Sequence, residues 1–138
     1  MSTEENKAIC NKIINAINTG NYSQVSELIA PNAADHQVPT GMPQTRESAM
    51  QFMQTFKAAF PDLRYTVEMS VAEGDKVFQY ATGSGTMKGD FMGMKASGKH
   101  ATWFESHVSR LSNGKVVEHW AIVDQVGMLR QLGLMPMQ

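Results

Sequence analysis

Residues 101–124 read ATWFESHVSRLSNGKVVEHWAIVD, and the fold turns on how this stretch is arranged. Two runs rich in aromatic and β-branched residues, Ala101–Leu111 and Lys115–Asp124, flank the turn tripeptide Ser112-Asn113-Gly114, so they read as an antiparallel hairpin. A glycine at the third loop position suits a three-residue loop that ends in a left-handed residue. That loop pairs Leu111 with Lys115, His107 with His119 and Glu105 with Ala121. Paired residues point to one face, so Trp103, Glu105 and His107 fall together with Val117, His119, Ala121 and Val123. Phe104, Val108, Val116, Glu118, Trp120, Ile122 and Asp124 fall on the other face. A two-residue loop would slip the register by one and exchange the partner sets. A bulge near Asp124 would turn its carboxylate inward.

Working outward, Leu63–Ala72 and Lys76–Met87 alternate in the same way, joined by Glu73-Gly74-Asp75, and a long loop at Lys88–Gly98 leads into the hairpin. The four runs make a meander. Before Pro61 the apolar period is helical. Ile9, Ile13, Ala16 and Ile17, preceded by the capping-box pattern Ser2-Thr3-Glu4-Glu5, predict a helix over 3–19. After the Gly20-Asn21 break, Val25, Leu28 and Ile29 form a stripe that predicts a short helix ending at Pro31. Asn32–Pro43 reads as a strand fragment and loop. With Thr45 as N-cap, Ala49, Phe52, Met53, Phe56 and Phe60 predict a third helix that stops at Pro61. Met128, Leu129 and Leu132 suggest a short closing helix or turn. The resulting expectation is an α+β fold, three helices packed on the concave face of one curved, mostly antiparallel sheet, enclosing a pocket.

At 138 residues the chain is expected to be one domain, 1–138, and 42% hydrophobic with 18% charged residues is a globular composition. A net charge of −1 lacks the basic footprint of a nucleic-acid binder, so no nucleic-acid partner is expected. No apolar run reaches 18 residues, and no membrane association is expected. The one cysteine, Cys10, precludes an internal disulfide and reads as a small packed side chain. The N-terminus shows no signal-peptide pattern, and a cytoplasmic location is the expectation. Gly93-Met-Lys-Ala-Ser-Gly98-Lys99-His100 approaches a phosphate-binding loop, but it ends in His and leads into a strand pattern. With no H-E-x-x-H or C-x-x-C motif, no metal site is expected.

On the preferred register Glu105, His107 and His119 lie side by side on one face. In an apolar pocket such a carboxylate becomes a general base at neutral pH; on an outward sheet face the same residues are merely solvated. Asp124 is a further catalytic candidate, or a cap for the closing segment. Asp35 and His36 reach the pocket mouth or belong to the loop, and Phe52, Phe56, Trp103 and Trp120 are candidates for ligand contact. Met50, Met53, Met92 and Met94 would line an adaptable cavity or fill the core.

The chain also resembles the SnoaL-like polyketide cyclase (ester cyclase) family of the nuclear transport factor 2-like superfamily, nearly end to end. The resemblance is carried by Asn18-Thr19-Gly20-Asn21, Asp35-His36, Ala59-Phe60-Pro61-Asp62-Leu63, Gly89-Asp90-Phe91-Met92-Gly93, Asn113 to Trp120, Val123-Asp124-Gln125 and Leu129 to Gly133. It implies intramolecular aldol cyclisation without metal or organic cofactor, and homodimers formed through the exposed sheet face. The family's polar pair falls on Glu105 and His107, where its cyclases have Gln and His; their Asn falls on Asp35, and their acid/base aspartate on Ala121. Alanine moves no proton, so the expectation shifts to Glu105, set across from Ala121, as the base. His107 would orient it or donate to the developing enolate oxygen, and His119 would assist. The substrate would be a small hydrophobic carbonyl compound. The alternatives are a non-catalytic binder of a small apolar ligand in the same pocket, and a partner-binding domain with a vestigial pocket.

Overall fold

The structure, a computed structural model, describes residues 1–135. The first helix, α1, runs Thr3–Thr19 behind the expected capping box: Ser2 Oγ accepts from the Glu5 N–H, and Glu5 Oε1 accepts from the Ser2 N–H, both at 3.1 Å. Gly20, at φ 74°, closes it in the left-handed conformation. Helix α2 spans Tyr22–Leu28. It ends earlier than the apolar stripe predicts, because Ile29 is already extended and opens strand β1, Ile29–Asp35. Pro31 therefore sits inside a strand. That is tolerated because β1 is a sheet edge, where a missing N–H costs no ladder bond.

Helix α3 covers Arg46–Ala59 from its Thr45 cap. Strands β2 (Arg64–Glu73), β3 (Lys76–Thr86), β4 (His100–Ser112) and β5 (Lys115–Val123) come next in the chain, and α4 (Gln125–Gln131) closes it. The sheet order is β1-β5-β4-β3-β2, with β1 parallel to β5 and the other pairs antiparallel. This is the expected α+β arrangement of helices on one curved sheet. Among the described residues no helix is long and apolar enough to cross a membrane.

The hairpin differs from the expected register in two places. Asn113 and Gly114 both have positive φ, 52° and 78°, which is a two-residue turn that pairs Ser112 with Lys115. Leu111 then pairs with Val116 but Arg110 with Glu118, leaving Val117 as an extra residue in β5. The shorter turn shifts the register by one residue, and the bulge shifts it by one more in the same direction. Beyond the bulge face membership survives while the partners move: His107 pairs with Ala121, Glu105 with Val123 and Ser109 with His119. Before it the expectation fails, because Val116, expected on the outer face, pairs with Leu111 and is buried on the cavity side.

The inner face of β3 carries Ala81, Gly83 and Gly85, small residues that make room for bulky neighbours. Trp103 lies against Gly83, and Phe60 against Gly85. With Phe56 and Phe91 they form an aromatic cluster whose ring centroids are 4.9–6.2 Å apart. This cluster plugs one end of the concave face. The other end, under α1, stays open as a cavity.

Candidate active site

The cavity has a volume of about 120 Å³, against the roughly 10–15 Å³ that one water needs, so it suits a small organic molecule. Ile13, Ile14 and Ile17 from α1 and Phe52, Met53 and Phe56 from α3 supply apolar walls. The sheet supplies the polar wall: Asp35 from β1, Glu105 and His107 from β4, and His119 from β5.

These four polar side chains are joined in a row. His119 Nδ1 lies 3.2 Å from both Asp35 carboxylate oxygens, and His119 Nε2 lies 2.9 Å from His107 Nδ1. His107 Nε2 lies 2.7 Å from Glu105 Oε1. The Trp103 indole N–H donates to Glu105 Oε2 at 2.7 Å. Glu105 is only 3% exposed, so both its oxygens are partnered where water scarcely reaches. At the outer end burial works to raise the Asp35 carboxyl, but it is outweighed. The hydrogen bond and charge of His119, the Gln37 N–H and the charge of His107 hold it below the usual carboxylate range. Arranged in line, these donors do not surround a point; among the described residues no three His, Cys, Asp or Glu groups are placed to hold a metal ion.

Three of the proposed site residues lie elsewhere. Asp124 caps α4, accepting from the Gly127 N–H at 3.0 Å, because the strand ends before any bulge can turn it inward. Trp120 is on the outer face of β5, and His36 stacks on it with centroids 5.3 Å apart. His36 comes directly after Asp35, and strand alternation sends the pair to opposite faces. Its ring contacts Gln44 at 3.0 Å and Glu118 at 2.8 Å, away from the cavity. Phe52 and Phe56 do line the cavity, whereas Trp103 stands behind Glu105 as its donor.

Sequence reasoning missed Tyr65, Gln79 and Ser109, which also line the cavity. Tyr65 is gripped by Asn18, whose amide donates to the Tyr65 carbonyl and accepts from its N–H, each at 2.7 Å. Burial, then the charge of Glu105 and the neighbouring Tyr22, push the Tyr65 phenol well above its ordinary range, so it stays a neutral donor. The available signal was the inward alternation of Leu63, Tyr65 and Val67 along β2. Cys10, at the far end, is raised to about 11 by burial, partly opposed by a hydrogen bond with Ser109.

The family model described as SnoaL-like polyketide cyclase matches residues 7–132. The aklanonic acid methyl ester cyclase DauD of Streptomyces sp. (strain C5) is 28% identical over 128 residues, which covers 88% of this chain and 78% of that protein. Among solved structures, IdmH of Streptomyces antibioticus superposes with a TM-score of 0.83 at 34% identity, covering 93% of this chain and 98% of that one. AclR of Streptomyces galilaeus gives 0.87 at 30% identity, covering 98% and 100%.

Proposed function

The chain belongs to the SnoaL-like polyketide cyclase family, and from that premise we propose that it closes or isomerises a small hydrophobic carbonyl compound by acid/base chemistry that needs neither metal nor organic cofactor. The observation that carries this reading is Glu105: a carboxylate 3% exposed, on the wall of an apolar cavity, with an imidazole 2.7 Å away. A carboxylate held in place on that wall, with an imidazole to relay its proton, has the position a general base needs to take a proton next to a carbonyl. The Tyr65 phenol and the two imidazoles supply donors for the enolate oxygen that results.

Ring closure is then a short sequence of bond changes. The C–H bond next to one carbonyl breaks as Glu105 takes the proton, the enolate carbon attacks a second carbonyl, and a donor protonates the new alkoxide. Ala121 occupies the position of the aspartate implied by the family resemblance, and it lies across from His107. Glu105 takes over that role from the neighbouring strand. The same reading includes a homodimer formed through the outer sheet face, where Ile122 and Phe104 are exposed.

Because DauD is a cyclase of aklanonic acid methyl ester, that compound is the first substrate to try. Wild-type protein is expected to convert it, or a simpler dicarbonyl ester, to a ring-closed isomer of the same mass. Glu105→Gln is expected to lower kcat by about 10²–10⁴, the usual contribution of a positioned base. Saturable binding with no turnover of any carbonyl compound would overturn the proposal in favour of a binding protein.

A further inference from the structure

We propose that Asp35, His119, His107 and Glu105 hold one shared proton and pass it along the cavity wall, with Asp35 as its outer terminus. The geometry is a line of three contacts, 3.2, 2.9 and 2.7 Å long, contributed by three strands. Side-chain exposure is 15% and 19% at Asp35 and His119, 11% at His107 and 3% at Glu105. The line therefore runs from the wetter rim to the dry floor.

Counting hydrogens leads to the shared proton. Each of the three contacts needs one hydrogen between its two acceptor atoms, or the lone pairs face each other. Two neutral imidazoles bring two. The third hydrogen is either a carboxylic proton at one end or a second ring proton on one imidazole. Those alternatives contain the same atoms and differ only in which bond each hydrogen sits on. One excess proton thus has four homes, and it moves between neighbours without displacing a heavy atom.

The surroundings keep that proton in the chain. Trp103 donates to the second oxygen of Glu105, and the Gln37 N–H donates to Asp35. Of the other ionisable groups lining the cavity, Tyr65 and Cys10 are held neutral by burial. Arg46 spends Nη1 on the carbonyls of Ser26 and Ile29, and Nη2 on Glu47. The low position of the Asp35 carboxyl agrees with an outer terminus that is ionised at rest.

The use of the chain rests on the proposed ring closure; the shared proton does not. In ring closure one proton leaves carbon and one reaches an alkoxide oxygen elsewhere on the same molecule. Glu105 takes the first, the excess shifts outward, and an imidazole delivers the second, so C–H and the π bond of the attacked carbonyl are lost, C–C and O–H are gained, and the chain ends with its original count. Asp35 touches no reacting atom in this scheme and is a positioning residue.

The test uses ¹⁵N-labelled full-length protein without substrate. In wild type near neutral pH, a far-downfield proton coupled to both His107 Nδ1 and His119 Nε2 is expected. Asp35→Asn is expected to abolish that signal and to move the ring nitrogens of His107, although no hydrogen bond joins residues 35 and 107. His100, at the start of β4, should stay in place and reports that the variant is folded. Absence of the shared-proton signal in wild type, or its persistence in folded Asp35→Asn, overturns the proposal. Neither measurement involves turnover, so the chain and the cyclase reading can fail separately.

Discussion

Trp103 fills the space where a side chain on Gly83 would be: a Cβ built at position 83 meets the indole Nε1 at 2.7 Å. The two residues pair across β3 and β4, and the same Nε1 donates to Glu105. A missing side chain on one strand thereby positions the hydrogen bond on the next. Gly83→Ala is expected to cost about 1–3 kcal/mol, the usual penalty of overpacking, and to detach the indole from Glu105. Urea unfolding with tryptophan emission checks both, and an unchanged midpoint would refute the relationship.

Asp35 makes stability depend on acid with a definite sign. Its folded carboxyl lies below the ordinary range, whereas in the unfolded chain it titrates near about 3.9. Between those values the unfolded chain binds the proton and the folded one does not, so stability rises with pH. The contribution is complete above the unfolded value and is lost as pH falls through the folded one. The gap in urea midpoint between wild type and Asp35→Asn is thus expected to narrow from pH 6 toward pH 2. A gap that stays constant contradicts the sign.

Cys10 is expected to be inert. It is 2% exposed, and a thiol raised to about 11 is ionised in only about one molecule per thousand at pH 8. An aromatic disulfide reagent should label it slowly in buffer and at once in denaturant. Equal rates in the two conditions would disprove its burial.

The outer sheet face exposes Ile122 at 78% on β5 and Phe104 at 52% on β4, with Met69 and Val71 exposed further across on β2, and apolar side chains gathered on one face are what a partner copy would cover. Light scattering is expected to give twice the chain mass for wild type and the single mass for Ile122→Asp. A wild-type monomer at every concentration would refute the pairing.

The strands and helices were legible because their periods are clean, from the capping box at Ser2 to the alternation along β4. The inward set of Glu105, His107 and His119 was legible too, though by a fortunate route. The two-residue turn was the alternative that exchanges the faces, the bulge at Val117 was not foreseen, and those two shifts of one residue together restore face membership beyond the bulge. What stayed hidden was long-range. The grip of Asn18 on Tyr65 spans 47 positions, and the meeting of Asp35 with His119 spans 84. Neither pair carries a local pattern. Pro31 misled for a related reason, since proline ends a helix or sits in an edge strand, and only the sheet order decides which.

Val117 has a wider consequence. It is the one residue between the pairs Leu111–Val116 and Arg110–Glu118 that has no partner, and it lets Val116 and His119, three positions apart, both line the cavity. Delete Val117, and those two pairs become consecutive rungs, so His119 keeps its place and the bend is lost. Keep the residue but flatten the bulge, and His119 comes opposite Val108 and turns away from the cavity. The strand thus tolerates losing this residue more readily than losing the bulge around it.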